Sequence, residues 1–165
     1  MRRITRALAA ASLAALVGAG TAACSSEPGG DGAQPAGTSA APTTTSSAPV
    51  PGPEGAPVDV PAAVAERWNS LGGEAGVLGR AAGPATEVAG GSVTDFERGT
   101  VVLTPAGRAF VVQGEILTAY REQGGPAGAL GFPTSDETTT DGGWVSAFEN
   151  GSIAYVDGRP VVETR

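Results

Sequence analysis

Two adjacent carboxylates, Asp136 and Glu137, are the side chains of this sequence best suited to acid–base chemistry, and they lie in the stretch ALGFPTSDE. The chain has no histidine, which excludes the usual general base, the His-containing nucleophile triads and the histidine-based metal sites. Glycosidases need two carboxylates that flank one bond, but adjacent residues of an extended segment point to opposite sides. We therefore expect solvated loop carboxylates in a protein that is not an enzyme and uses no metal or cofactor.

The only cysteine, Cys24, follows a segment with the three parts of a secretory signal peptide. Residues 1–23 carry three arginines ahead of an apolar run that is too short for a membrane span of about 20 residues. The Thr-Ala-Ala-Cys sequence resembles a bacterial lipobox, in which the cysteine becomes diacylated. The prediction is an exported protein that is lipid-anchored through Cys24 at the outer face of the cytoplasmic membrane. The alternative is an ordinary signal peptide and an incidental free thiol.

Residues 24–57 are rich in Ser, Thr, Pro, Ala and Gly, and Val50 is their only large aliphatic residue. Such a segment cannot bury enough apolar surface to offset the entropy lost on ordering. The sequence therefore predicts a disordered tether over residues 24–57, with the folded domain spanning residues 58–165.

Residues 58–165 contain an internal repeat with a period of 52 residues. Four aromatic residues fall at matching positions: Trp68 with Tyr120, and Phe96 with Phe148. Glu97 and Glu149 also match and lie beside glycines in turns, where we expect them to bond backbone groups. The domain is therefore a tandem pair, with repeat 1 at about 60–112 and repeat 2 at about 112–165.

Each repeat has the pattern of a short helix, a glycine-rich loop and a set of strands. Val64, Trp68 and Leu71 recur at helical spacing, and the Gly-Gly pair after them is typical of a helix end. The following segments alternate with a period of two, and Asn150-Gly151 predicts a tight hairpin turn. The predicted fold class is α+β, with two tandem repeats that each contain a short helix, a Gly-rich loop and a three-stranded antiparallel β-meander.

The second copy, GGPAGALGFPTSDE followed by W-x-x-x-F-E-N-G-S-I, resembles the LGFP repeat of actinobacterial cell-envelope proteins. The resemblance extends over nearly all of residues 60–165. In that family the repeats are appendages of wall-acting enzymes such as mycolyltransferases and peptidoglycan hydrolases, and they are not the catalytic part. The resemblance implies a non-catalytic envelope protein whose repeats associate with cell-wall polymer, either peptidoglycan glycan or arabinogalactan.

Two other functions stay open at this point. Repeat arrays commonly need about three units to bury a continuous core, so a pair of units favours a protein-interaction module that docks on another envelope protein or wall enzyme. A small cell-wall hydrolase is the other alternative. The net charge of −7 becomes −10 once three signal-peptide arginines are removed, and this acidity argues against nucleic acid as a partner.

Two aromatic residues of the second copy have no aromatic counterpart in the first, where Arg80 and Ser92 occupy the matching positions. A core position seldom accepts such exchanges, so we expect exposed aromatic side chains that can stack on a sugar ring. The predicted ligand-binding residues are Phe132, Trp144, Pro133 and Asp136. The alternative is that the two aromatic rings pack against each other.

Overall fold

The structure, a computed structural model, describes residues 46–165. Its strands are β1 (Ser47–Pro51), β2 (Pro57–Pro61), β3 (Thr86–Val88), β4 (Gly91–Phe96), β5 (Gly99–Leu103), β6 (Ala109–Val112), β7 (Thr138–Thr140), β8 (Gly143–Phe148), β9 (Gly151–Val156) and β10 (Arg159–Thr164). Its α-helices are α1 (Ala62–Ser70) and α2 (Gly114–Glu122). The predicted signal peptide, Cys24 and the predicted tether up to residue 45 lie outside the described residues. Within the described part, no helix is long and apolar enough to cross a membrane.

The folded part begins earlier than the sequence predicts, because β1 and β2 form an antiparallel hairpin where a tether was expected up to residue 57. Val50 of β1 is only 2% exposed and pairs with Val58 of β2. The composition is misleading for two reasons. One valine is sufficient when β2 supplies its partner, and prolines are tolerated in a ribbon whose two strands are both edge strands.

The predicted α+β class and the tandem organisation are both confirmed. Sheet 1 has the strand order β3-β4-β5-β6 and sheet 2 has the order β7-β8-β9-β10, and every pair is antiparallel. Each sheet therefore has four strands instead of the predicted three. The additional strands, β3 and β7, are three residues long and mostly exposed, so they carry none of the apolar alternation that predicts a strand.

Sheet 1 has an apolar core on each of its faces. One face, with Phe96, Val101 and Val111, packs with α1 and the β1–β2 hairpin in the first core. The other face, with Val102 and Val112, packs with α2 and sheet 2 in the second core. Because alternate residues of one strand point to opposite faces, β5 contributes to both cores. The two repeats therefore share sheet 1.

The β1–β2 hairpin continues the 52-residue period upstream of the first helix. Val50 pairs with Val58, just as Val102 pairs with Phe110 at positions 52 residues later. Val60 and Val112 match in the same way, and both are at most 1% exposed. The hairpin consequently stands before α1 as β5 and β6 stand before α2, and each helix packs on the hairpin that precedes it.

The predicted helix ends are confirmed, because the glycine pair after each helix adopts positive φ; Gly72 has φ +97° and Gly124 has φ +91°. The predicted hairpin turn is displaced by one residue, since the two turn residues are Glu149 and Asn150 and Gly151 already belongs to β9. None of these three has positive φ. Gly151 is required for close packing instead, because a Cβ there would lie 2.0 Å from a carbonyl oxygen of β10.

Candidate functional site

The Leu-Gly-Phe-Pro motif of repeat 2 lies in a loop that is bonded to its own helix and to its own β8–β9 turn. Leu130 is fully buried, and Gly131 has φ +71°. The Tyr120 hydroxyl donates to the Gly131 carbonyl at 2.7 Å, and the Phe132 N–H donates to Glu149 Oε2 at 3.0 Å. Burial, reinforced by the nearby Glu149 charge, raises the pKa of Tyr120, so this hydroxyl stays a donor. The motif is thus held from two sides.

Repeat 1 holds its matching loop by the same two contacts. Trp68 Nε1 donates to the Gly79 carbonyl at 2.7 Å, and the Arg80 N–H donates to Glu97 Oε2 at 3.3 Å. The expectation that the two repeated glutamates bond backbone groups is confirmed. Trp68 and Tyr120 are therefore interchangeable here because each presents one polar hydrogen at the end of a buried ring.

Phe132 was expected to be exposed, and this expectation is wrong: its side chain is 5% exposed and belongs to the second core. Its ring lies against Gly91 of sheet 1, where a Cβ would come within 2.7 Å of Phe132 Cε1. In repeat 1, the described residues place only the β1–β2 hairpin ahead of the matching position, so Arg80 reaches solvent and bonds Glu74. The exchange of Phe for Arg reflects a different neighbour and not a ligand.

Pro133 and Asp136 also connect the structure internally. Pro133 is buried and forms an antiparallel bridge with Phe148. Asp136 Oδ2 accepts a hydrogen bond from the Arg67 guanidinium at 2.7 Å, and Oδ1 accepts one from the Val111 N–H at 2.9 Å. Arg67 and Val111 belong to repeat 1, so Asp136 ties the two repeats together.

Glu137 continues this contact along the free edge of β6. Its Oε1 accepts a hydrogen bond from the Gln113 N–H at 3.4 Å, two residues beyond the N–H that Asp136 accepts. The two carboxylates therefore stand in for a neighbouring strand and protect a sheet edge. Burial raises the pKa of Glu137, although the Gln113 N–H partly offsets this.

Trp144 is exposed as expected, with 50% of its surface open to solvent. It stacks on Tyr155 with ring centroids 6.2 Å apart and planes inclined by 28°, and it does not belong to the core that contains Phe132. The two rings border a groove of about 410 Å³ between the start of α2 and sheet 2. The lining residues are Arg98, Gln113, Gly114, Glu115, Ile116, Glu137, Trp144 and Tyr155. We call this the aromatic groove.

The aromatic groove combines an apolar platform with charges of both signs. Glu115 and Glu137 supply carboxylates, and Arg98 supplies a guanidinium. That guanidinium is held in place because it donates to the carbonyls of Val77, at 3.0 Å, and Gly76. Among the described residues, no three His, Cys, Asp or Glu side chains cluster closely enough to hold a metal ion. The arrangement is suited to hydrogen-bonding a polar ligand whose ring rests on the aromatic side chains.

Repeat 1 has a cavity of about 300 Å³ at the matching place, but its chemistry differs. Pro61 and Ala63 replace Gln113 and Glu115 there, and Ser92 and Leu103 replace Trp144 and Tyr155. Its lining has no aromatic side chain and no arginine. Of these two cavities, only that of repeat 2 combines aromatic side chains with an arginine.

Sequence reasoning predicted that Trp144 is exposed, but it missed most of the residues around it. Tyr155 could have been found by counting along the hairpin, because the tight turn makes β8 and β9 pair residue for residue and places Tyr155 opposite Trp144. Arg98 and Glu115 carry no such signal, because their meeting depends on how repeat 1 packs against repeat 2.

Two successive helix–loop–sheet units that share a sheet define an α+β tandem-repeat protein. A family model of the LGFP repeat matches residues 78–128 and 130–160, two spans that begin 52 residues apart at Leu78 and Leu130. The chain is an LGFP repeat protein, and this membership indicates an envelope-associated repeat protein. No curated protein is similar enough to the chain to be matched with it.

Proposed function

We propose that this chain is a non-catalytic, lipid-anchored envelope protein that binds cell-wall polymer through the aromatic groove. The observation that carries the proposal is Trp144, which is half exposed and stacked on Tyr155 at the border of a groove that also holds fixed charges. An isolated exposed tryptophan would be unremarkable in a protein surface. A paired aromatic platform beside convergent polar groups is the usual composition of a ligand site.

The groove suits a sugar ring better than an ion. The faces of Trp144 and Tyr155 can cover the C–H surface of a pyranose or furanose, and this contact needs no charge on the ligand. Glu115 and Glu137 can accept hydrogen bonds from sugar hydroxyls, and the Arg98 guanidinium of the same groove can donate to a sugar oxygen. Peptidoglycan glycan and arabinogalactan both present such hydroxyl-bearing rings.

A hydrolase is the less supported function. The adjacent acids singled out by sequence, Asp136 and Glu137, do not face one bond, since Asp136 is committed to Arg67 and Val111. Glu115 and Glu137 line the same groove, and a glycosidase uses two carboxylates on either side of the bond that it cleaves. Release of reducing ends from wall glycan would therefore overturn the non-catalytic proposal. The expected result is no release above a blank, for the parent and for Glu137→Gln alike.

The test of wall binding is co-sedimentation of the fragment 46–165, which contains both cores, with purified insoluble wall. Trp144→Ala should weaken binding about tenfold or more, as for a central aromatic contact. Val77→Ala is the matched control, because Val77 is as exposed (53%) but does not line the groove. Equal pelleting of the parent and Trp144→Ala would contradict the proposed site, and no pelleting of the parent would contradict the proposed function.

The lipid anchor rests on Cys24, which lies outside the described residues, and it is tested separately. Expression of the full chain in a bacterium that processes lipoproteins should yield a membrane-bound form whose N-terminal peptide carries a diacylglyceryl mass on Cys24. A Cys24→Ser variant should lose that mass and appear in the soluble exported fraction. A parent chain found in the soluble exported fraction without that mass would argue for the ordinary signal peptide instead.

A further inference from the structure

The face of sheet 2 that points away from α2 is open in the described structure. Its residues alternate with those that enter the second core, and we call this surface the outer face; it comprises Val145, Ala147, Ser152, Ala154, Val161 and Glu163. None of them belongs to either core, and Val161 is 48% exposed. An apolar sheet face of this kind is normally covered in a stable domain.

The outer face matches, residue for residue, the face of sheet 1 that binds repeat 2. On sheet 1 the cross-strand row is Val93, Val102 and Phe110, and on sheet 2 it is Val145, Ala154 and Val161. The sheet 1 row is covered, since Val102 is fully buried and Phe110 is 7% exposed. Gly143 likewise matches Gly91, the residue that receives the Phe132 ring. The outer face thus continues the geometry of an interface that this chain already forms.

The charge pattern of that interface is also retained in altered form. On sheet 1, Arg121 of α2 donates to Asp95 at 2.7 Å and to the Thr100 hydroxyl at 3.0 Å. On the outer face, Ser152 occupies the position of Thr100. Ala147 of β8 occupies the position of Asp95, and the carboxylate is supplied instead by Glu163 of β10, which pairs with Ser152. A helix that presents an arginine would find both an acceptor hydroxyl and a carboxylate there.

We infer that the outer face is a docking site for the helix and Leu-Gly-Phe-Pro loop of an LGFP unit carried by another polypeptide. A second copy of this chain fits poorly, because its α1 is already covered by the β1–β2 hairpin. Its α1 also has Asn69 where α2 has Arg121, and its loop has Arg80 where repeat 2 has Phe132. Residues 25–45 contain no aromatic or large aliphatic side chain and do not fit the role either.

This surface is separate from the aromatic groove. Trp144 and Tyr155 point to the α2 side of sheet 2, whereas the outer face lies on the opposite side of the same strands. A docked unit would leave the groove open, so wall binding and docking can occur together.

The experiment uses the fragment 46–165 extended after Thr164 by a protease-cleavable linker and a second copy of residues 114–165, which serves as the probe unit. This unit has no hairpin ahead of its helix, so it is expected to fold only by packing on β9 and β10 of the fragment. The fragment contains no cysteine, so Val161→Cys introduces a single thiol. If the probe unit docks, the rate of thiol labelling should fall about sevenfold relative to the unextended fragment, the ratio of the exposures of Val161 (48%) and its covered counterpart Phe110 (7%). Val77→Cys, 53% exposed and away from the outer face, should label equally in both.

Cleavage of the linker then tests docking between separate polypeptides. The probe unit should co-elute with the fragment on gel filtration, and Val161→Asp should release it whereas Val77→Asp should not. Glu163→Gln should weaken retention by about threefold to tenfold through loss of the arginine contact. Unchanged labelling of Val161→Cys, or separation of the probe unit after cleavage, would overturn the inference. Neither outcome bears on the Trp144 binding assay.

Discussion

Replacing Phe132 by alanine should strongly destabilise the protein, although its position in a family motif suggests a role in binding. The ring is 5% exposed, so the substitution removes about two thirds of the roughly 200 Å² that a phenylalanine buries. At about 25 cal/mol per Å² this loss is worth about 3 kcal/mol. A cavity term adds to it, because the facing residue, Gly91, has no side chain that could move into the gap.

The expected loss of unfolding free energy is therefore about 3–5 kcal/mol, the range seen for buried phenylalanine. For a domain of this size that corresponds to a fall in Tm of about 12–20 °C, at about 4 °C per kcal/mol. Since Phe132 joins repeat 2 to sheet 1, the calorimetric transition should also broaden as the repeats unfold less cooperatively.

The assay is calorimetric and urea unfolding of the fragment 46–165, with Arg80→Ala as the matched control. Arg80 holds the same place in repeat 1, and its contact is a surface ion pair with Glu74, so its loss should cost less than about 1 kcal/mol. If Phe132→Ala melted within about 2 °C of the parent while losing wall binding, the ring would be a ligand contact and the packing argument would be refuted.

Thr94→Val should raise the free energy of unfolding by about 1 kcal/mol, because its fully buried hydroxyl has no hydrogen-bond partner in the described structure. Thr100→Val should lower the free energy of unfolding by a similar amount, because the Thr100 hydroxyl is hydrogen-bonded. Urea titrations of both variants check that the two changes have opposite signs. Asp136→Ala should cost about 1 kcal/mol after allowance for solvent screening, and a double-mutant cycle with Arg67→Ala that gave a coupling below about 0.3 kcal/mol would contradict the link between repeats. Burial raises the pKa of Glu137 in the folded state, so protonation of this carboxyl favours folding. The parent should therefore lose stability as pH rises from about 4.5 through the folded-state pKa. Glu137→Gln should abolish this fall, which Tm values at pH 4 and pH 7 measure; an identical pH dependence in the variant would exclude Glu137 as its source.

The repeat, the α+β class and the helix ends could be predicted from sequence because each depends on local chemistry or on self-comparison. The 52-residue period is visible in matched pairs such as Trp68 with Tyr120, and a glycine pair directly after an apolar helical stripe is typical of a helix end. The β1–β2 hairpin could not be predicted from composition, because Val50 is the only large aliphatic residue of β1 and is stabilised by packing in the same core as α1.

Comparison of the two copies predicted exposure wrongly for Phe132 and correctly for Trp144, and the reason is the same in both cases. The comparison assumes that matched residues have matched neighbours. Phe132 packs against sheet 1, whereas in the described structure the unit that precedes Arg80 is the two-stranded β1–β2 hairpin. The exchange of Phe for Arg therefore reflects which element each repeat packs against. Trp144 and Ser92 lie in equivalent grooves, so that exchange does report a change of surface chemistry.

The position of the β1–β2 hairpin means that the repeated unit of sequence and the smallest piece that can fold have different boundaries. A duplicated stretch of 52 residues preserves the array wherever it begins, but a chain can be cut safely only ahead of a hairpin. A fragment that began at residue 58, as composition suggests, would lose Val50 and leave the apolar side of α1 in water. Dissection of such arrays should therefore follow the strands that support each helix and not the Leu-Gly-Phe-Pro motifs that make the family recognisable.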